Sequence, residues 1–185
     1  MWRRSGCAEP INSRALTALN ESETVHENEL LGGKMLTIGI RAAPSAVTFA
    51  VYDSDRREII NVEEIVIPVA FDVPDALKYV RSNLLDVLRE FQVERAGLRV
   101  TEPFAQQLSI ERVKIEGVIQ EAFASSALQS YYMGTIATIA GRIGENRDII
   151  KPMVKGAVDP GVEGWAGHSE IEREAILCAM GAVNA

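Results

Sequence analysis

The stretch LTIGIRAAPSAVTFAVYD, residues 36–53, decides the fold of this chain. Apolar residues alternate with smaller ones at Leu36, Ile38 and Ile40, a pattern that predicts a β-strand. The alanines, proline and serine that follow predict a tight turn. The β-forming residues from Val47 to Tyr52 then predict a second strand, and two strands joined by so short a turn pair antiparallel.

The next elements extend this hairpin. Asp53 and Asp55 lie in a polar segment that predicts a turn, and a third strand is predicted from Ile59 to Ile67. The period then changes, because from Pro74 to about Phe91 the apolar residues fall on one face of a helix. A short fourth strand is predicted over Gly97–Thr101.

A second helix is predicted from about Ser109 to Ala124. Gly117 within it weakens the helix by about 1 kcal/mol relative to alanine, which is tolerable if a neighbouring element packs closely there. The residues expected to point inward from this helix are Ile110, Val113, Val118, Ile119 and Phe123.

The last third of the chain predicts one more strand and further helices. A strand and the start of a helix are predicted between 128 and 139, and residues 145–155 carry a helical pattern. Ser169 and Glu172 have the spacing of a capping box, so a final helix is expected through about Val183. Strands that return through helices pair parallel. The predicted fold class is therefore α/β, with a mixed five-stranded sheet, antiparallel over three strands and then parallel, flanked by helices.

The composition is that of a globular protein, with 47% hydrophobic and 24% charged residues in 185. The net charge of −7 argues against tight nonspecific binding of nucleic acid, which depends on lysine and arginine, but leaves a local basic patch open. No apolar run reaches the roughly 18 residues that a membrane span needs, so no membrane partner is expected. Cys7 and Cys178 lie in unlike contexts and are interpreted as free thiols, which predicts a reducing, cytoplasmic location.

Residues 1–34 show no sustained periodicity, which predicts a disordered leader or tail before one domain over residues 35–185. The segment from Gly32 to Met35 is also what a translated ribosome-binding site and start codon would encode. We therefore hypothesise that the natural protein begins at Met35, with an ordinary tail as the alternative. N-terminal sequencing of the native protein decides between them, since a native start at Met1 contradicts the hypothesis.

In its order of elements the chain resembles the ribonuclease H-like superfamily, and within it the RuvC-type Holliday junction resolvases. The hairpin quoted above is similar to the family's first hairpin, and GLRVTEPF, residues 97–104, is similar to its fourth strand. SIERVKIEGVIQEAF, residues 109–123, is similar to the helix that follows. EIEREAILCAMGAV, residues 170–183, is similar to the last helix. The resemblance covers roughly Met35 to Val183.

This resemblance implies a site in which two divalent cations, Mg²⁺ or Mn²⁺, hydrolyse a phosphodiester. Hard cations need oxygen ligands, and two of them stabilise the attacking and the leaving oxygen. By resemblance, Glu102 matches the second metal-binding carboxylate and Glu174 matches that of the last helix. Glu170 lies one turn earlier on the same helical face. Arg41 stands where the family has its first aspartate.

Arg41 changes the chemistry that the resemblance implies. An arginine supplies a fixed positive charge and no oxygen ligand. Its guanidinium is expected to occupy the space of a cation and to pair with Glu102 and Glu174, which would otherwise repel each other. The family's glycine after this position is also missing, since Ala42 follows. Both departures predict a degenerate site without ordinary two-metal catalysis and without a cofactor.

Two functions remain open at this point. In the first, the chain keeps the fold without catalysis and binds a protein or a structured DNA or RNA. In the second, it is an active Mg²⁺- or Mn²⁺-dependent nuclease, with Arg41 on the scissile phosphate and metal held by Glu102, Glu174 and Glu170, with Asp53 as an optional further ligand. Junction resolvases act as dimers, so the resemblance also implies a homodimer. The apolar face of the helix at 109–124 is its candidate surface.

Ordinary structural roles compete with these functional ones. Glu102 fits a loop residue, Glu170 an acid in the first turn of a helix, Arg41 an exposed loop residue and Asp53 a turn former. A basic cluster within residues 142–155 fits either a solvated surface or a phosphate-facing patch, and it consists of Arg142, Arg147, Lys151 and Lys155.

Overall fold

The hairpin predicted from residues 36–53 lies at the centre of a five-stranded sheet. A computed structural model describes residues 34–102 and 109–185. In it, β1 (Leu36–Ala42) pairs antiparallel with β2 (Ala46–Asp53), which pairs antiparallel with β3 (Glu58–Val66). On the other side of β1, β4 (Arg95–Arg99) and then β5 (Ser130–Gly134) pair parallel. The order β3-β2-β1-β4-β5 confirms the predicted mixed sheet.

Helices cover both faces of this sheet. The first face carries α1 (Val73–Glu90) and α2 (Ile110–Ala124), whose apolar residues share one core with Ile38 and Ile40. The second core contains residues of the other helices, α3 (Ile136–Ile143), α4 (Arg147–Val154) and α5 (Glu170–Ala182). Because successive residues of a strand point to opposite faces, Ile38 and Ile40 serve the first core while Thr37, Gly39 and Arg41 face α5.

Local signals place the helix starts where the sequence predicts them. Asp72 accepts a hydrogen bond from the Asp75 backbone N–H at 3.0 Å and caps α1. Ser169 and Glu172 form both bonds of the predicted capping box, so α5 begins at Glu170. The fourth strand differs from its prediction. It ends at Arg99, which leaves Glu102 in the segment after the strand rather than at its end.

The inward face of α2 also differs from its prediction. Ile119 and Phe123 are buried as expected, but Ile110 is 61% exposed and Val113 is 42% exposed. The buried stripe continues instead through Ile115, four residues before Ile119. No neighbour packs against Gly117 among the described residues, so close packing does not explain that glycine.

Some sequence predictions lie outside the described residues. These are the leader or tail before Met35, apart from Lys34, the thiol of Cys7, and the Pro103 and Phe104 of the family-like fourth strand. Cys178 is described and is a buried free cysteine. Of the helices that the structure describes, none combines the length and the apolar character required to cross a bilayer.

Candidate functional site

The candidate site lies at the edge of the sheet where the parallel strands β1 and β4 end. Arg41 and Arg99 are register partners on these two strands. Neighbouring strands lie about 4.8 Å apart, and paired residues point to the same face. The two arginines are therefore side by side on the face that α5 covers.

Glycines in the sheet bring α5 close enough to reach this edge. A Cβ atom at Gly39 would overlap the carbonyl oxygen of Ala175 and the amide nitrogen of Ala179. A Cβ atom at Gly97 would lie 2.7 Å from the Cys178 carbonyl oxygen. The Thr37 hydroxyl adds a buried hydrogen bond of 2.8 Å to the Ala179 carbonyl. The backbone of α5 thus rests directly on β1 and β4, which sets the position of Glu174.

Arg41 and Glu174 form an ion pair in which Arg41 Nε donates to Glu174 Oε2. Arg41 Nη1 also donates to the carbonyl of Ala42 at 2.7 Å. The side chains are 20% and 18% exposed, so water reaches the pair but does not fully solvate it. The expected pairing of the Arg41 guanidinium with Glu174 is present.

Glu102 has a different arginine partner from the expected one. Its Oε1 lies 3.3 Å from Nη2 of Arg99 and accepts a 3.3 Å hydrogen bond from the Ile136 backbone N–H. The Ile136 amide belongs to the first turn of α3, where backbone N–H groups have no partner within the helix. Glu102 therefore connects the segment after β4 to the start of α3, and no contact to Arg41 is found among the described residues.

A more deeply buried ion pair forms between Arg112 and Glu116 of α2. Arg112 Nε is 2.7 Å from Glu116 Oε1, although its N–H direction departs from that of a hydrogen bond. Glu116 also accepts bonds from the backbone N–H and the hydroxyl of Thr101, at 3.0 and 2.9 Å. Arg112 Nη2 donates to the Arg99 carbonyl at 3.4 Å. This pair fixes the chain just after β4.

The sequence analysis missed Arg99, Arg112 and Glu116. The four-residue spacing of Arg112 and Glu116 on one helix was a readable signal for an ion pair. Their burial was not readable, since charged residues are rarely so deeply buried. Burial, followed by the nearby charge of Arg41, lowers the pKa of the Arg112 guanidinium.

An open cleft of about 460 Å³ connects these groups to solvent. Glu170 and Glu174 of α5 line one part of it, and the basic residues Arg147, Lys151 and Lys155 line another. Arg142, the fourth member of the predicted basic cluster, lies elsewhere, with its guanidinium carbon 4.2 Å from the centre of the Tyr132 ring. Three of the four predicted basic residues therefore face the same cleft as the candidate carboxylates.

Asp53 is not part of this site, which corrects its proposed role as a metal ligand. In the antiparallel register it pairs with Leu36, at the opposite end of β1 from Arg41. Five residues of strand separate these ends by about 17 Å. Asp53 Oδ1 accepts bonds from the backbone N–H groups of Asp55 and Arg56, so it forms the predicted turn.

The residues at this edge do not fit a two-metal centre. Mg²⁺ and Mn²⁺ take oxygen ligands, and the Arg41 guanidinium offers donors alone. Both candidate carboxylates already face arginines, Glu174 with Arg41 and Glu102 with Arg99. Across residues 34–102 and 109–185, no group of three or more His, Cys, Asp or Glu side chains is placed to hold a metal ion.

Comparisons with known proteins agree with the fold. By sequence, neither a family model nor a curated protein matches. By structure, the chain is similar to RuvC of Thermus thermophilus in complex with a Holliday junction substrate, at 15% identity and a TM-score of 0.61, over 80% of this chain and 91% of that one. A second structure of Thermus thermophilus RuvC gives 14% identity and a TM-score of 0.63, over 80% and 92%.

The chain thus has a ribonuclease H-like fold. Its arrangement of strands and helices is RuvC-like, as the sequence predicts.

Proposed function

We propose that this nuclease-fold protein has lost ordinary two-metal catalysis and acts by binding a structured DNA or RNA without cutting it. One observation carries the proposal: Arg41 stands at the end of the central strand and is paired with Glu174. The position that would supply a bridging carboxylate supplies a cation instead.

The electrostatics of the pair oppose metal binding. A divalent cation at this edge would have to draw Glu174 away from Arg41 and then lie beside the guanidinium. The metal ion and the guanidinium are both positive, so they repel each other at such close range. Arginine cannot relieve the repulsion by losing its proton. The arrangement therefore favours the present ion pair over a metal.

Nucleic acid is the partner that the cleft favours. The chain has a net charge of −7, yet Arg99, Arg147, Lys151 and Lys155 line one cleft. Phosphates are neutralised by such groups. The RuvC structure to which this chain is similar holds a Holliday junction substrate. The competing possibility for a non-catalytic function is a protein partner that binds at another surface.

An active nuclease is the alternative, and one observation favours it. Glu102, Glu170 and Glu174 line the same cleft. A rearranged Mg²⁺ or Mn²⁺ site would need Glu102 and Glu174 to release their arginines, with Glu170 as the third carboxylate and Arg41 turning to the scissile phosphate.

Cleavage assays separate the two functions. The purified protein and Glu102→Ala are incubated with four-way DNA junctions and RNA–DNA hybrids, in Mg²⁺ and separately in Mn²⁺. We expect no cleavage by either protein. Metal-dependent cleavage by the wild type that Glu102→Ala abolishes would establish the nuclease instead. With the same proteins and DNA, gel-shift assays in EDTA are expected to show binding to the junction.

We further propose that the chain forms a homodimer through α2. Its Ile110 and Val113 remain 61% and 42% exposed, and Gly117 beside them is open on the surface. Apolar residues exposed on one helical face favour association. Light scattering after size exclusion should give twice the chain mass, and Val113→Asp should give the monomer. A monomeric wild type would contradict this part of the proposal.

A further inference from the structure

One wall of the cleft carries three cations that lack carboxylate partners. Arg147, Lys151 and Lys155 follow one another at intervals of four residues along α4 and its C-cap, so they lie on one helical face. Within residues 34–102 and 109–185, none of the three is within 4 Å of a carboxylate oxygen. This holds even though Glu170 and Glu174 line the same cleft.

The floor of the cleft carries a buried donor without an acceptor. Arg99 is 7% exposed and lines the cleft. Its Nη2 faces Glu102 and its Nη1 donates to the Val100 carbonyl, but its Nε has no acceptor among the described residues. A buried N–H without a partner is costly. The Nε atom itself is enclosed by protein, so Arg99 contributes its positive charge to the cleft rather than this donor.

The charge balance around this floor is positive in an acidic protein. Two further arginines lie beside Arg99, since Arg41 is its register partner on β1 and Arg112 Nη2 donates to its carbonyl at 3.4 Å. With the cleft cations they outnumber the carboxylates, which are Glu102, Glu116, Glu170 and Glu174. The excess charge is positive and local, whereas the chain as a whole is at −7. Such an excess attracts an anion to this cleft in particular.

We propose that the cleft binds a backbone phosphate of a nucleic-acid strand without metal. The positive charge of Arg99 attracts one phosphate into the cleft, and Lys151 and Lys155 contact the phosphates beside it. This inference rests on the proposed function and names the chemical group and the residues through which binding occurs. The guanidiniums of Arg41 and Arg99 take the place that metal cations would hold in a two-metal nuclease.

The arrangement of the donors favours a phosphate strand over an acidic peptide. The cations lie at the end of β4 and along α4, and a nucleic-acid strand presents one negative charge at every phosphate, at regular intervals. Side chains four residues apart on α4 are separated by about 6 Å along the helix axis. They are thus placed to follow successive charges along a strand.

The inference is tested by measuring how salt concentration affects the binding of fluorescent single-stranded DNA and four-way junctions to the full chain. Binding is monitored by fluorescence anisotropy in EDTA. Each phosphate contact contributes about one unit to the slope of log affinity against log salt concentration. We expect the double variant Lys151→Ala/Lys155→Ala to lose about two units. Lys78→Ala, which removes an exposed lysine on α1, is the matched control and should keep the wild-type slope.

Arg99→Gln removes the positive charge at the end of β4, and we expect it to weaken binding at every salt concentration. Because Arg99 is buried, its variant needs a circular dichroism check, while the exposed lysines test the same cleft without that complication.

The outcomes separate this inference from the proposed function. Binding by the wild type with an unchanged slope in the double variant would overturn the phosphate cleft alone. A wild type that binds neither DNA in EDTA would overturn both. Displacement of bound DNA by polyglutamate of equal charge and concentration would assign the cleft to an acidic protein instead.

Discussion

Helices α5 and α2 each bring a glutamate to the same edge of the sheet, and each glutamate is held by an arginine, but by different means. α5 rests with its backbone on Gly39 and Gly97, and its Glu174 pairs with a residue 133 positions earlier in the chain. α2 packs through large side chains, and its Glu116 pairs with Arg112 of the same helix.

These two arrangements show which contacts fix the position of each glutamate. The position of Glu174 follows from backbone contact between α5 and β1, so it tolerates almost no change beneath the helix. Glu116 is 5% exposed and holds the Thr101 backbone, so its own bonds determine where the chain goes after β4. The first glutamate is positioned by the fold, whereas the second helps to position it.

Replacement of glycine by alanine should have opposite effects on the free energy of unfolding in α2 and beneath α5, and these are the largest effects that we expect. Gly39→Ala places a methyl group into the backbone of α5, which cannot move without leaving the sheet. We expect it to lower the free energy of unfolding by about 3 kcal/mol or more. Gly117→Ala meets open space and should raise it by about 1 kcal/mol through helix propensity. Urea denaturation measures both, and equal effects would contradict the close approach of α5.

Glu116→Gln tests the structural glutamate. The variant loses the negative charge of Glu116. In the native protein this charge faces Arg112 and strengthens the hydrogen bonds from Thr101. We expect the free energy of unfolding to fall by about 1–3 kcal/mol. Glu111→Gln, an exposed position of the same helix, is the control and should change it by less. A loss at Glu116 no larger than that at Glu111 would remove its structural role.

Glu174→Gln should cost less than Glu116→Gln. The Arg41–Glu174 pair keeps about a fifth of its side-chain surface in water, and ion pairs open to solvent contribute about 1 kcal/mol or less. Denaturation of the two variants under one condition gives the ranking. A larger loss for Glu174→Gln would mean that this pair, rather than the packing of α5, holds the edge of the sheet together.

Arg81→Ala is expected to have the smallest effect on stability. Arg81 of α1 pairs with Glu121 of α2 on the surface, where water and salt screen the pair. Its hydrogen bond holds the pKa of Glu121 at about 2. Because this folded-state pKa is depressed, the stabilising contribution is present above the ordinary carboxyl pKa and is lost as the pH falls toward about 2. NMR titration of Arg81→Ala should show the Glu121 pKa rising toward its usual value, and an unchanged pKa would contradict the pairing.

Much of the fold could be predicted from sequence because its signals are local. The alternation in residues 36–53, the cap at Asp72 and the capping box at Ser169 each act within a few residues. Arg41 was identified because it departs from a family pattern at one position. Arg99 could not be, because its importance comes from burial and from register with β1. Asp53 forms the turn that the sequence predicts, and its alternative role as a ligand is excluded because the pairing register places it at the opposite end of β1 from Arg41.

The proposal that ion pairs have replaced the metals is tested most directly by titrating Mn²⁺ into the wild type and into Glu102→Ala. Isothermal titration calorimetry measures the binding. Replacement of the metals by ion pairs predicts that the two proteins behave alike and that neither shows a saturable Mn²⁺ site in the cleft. Saturable binding of two Mn²⁺ ions by the wild type, lost in Glu102→Ala, would contradict it and restore the metal-dependent nuclease.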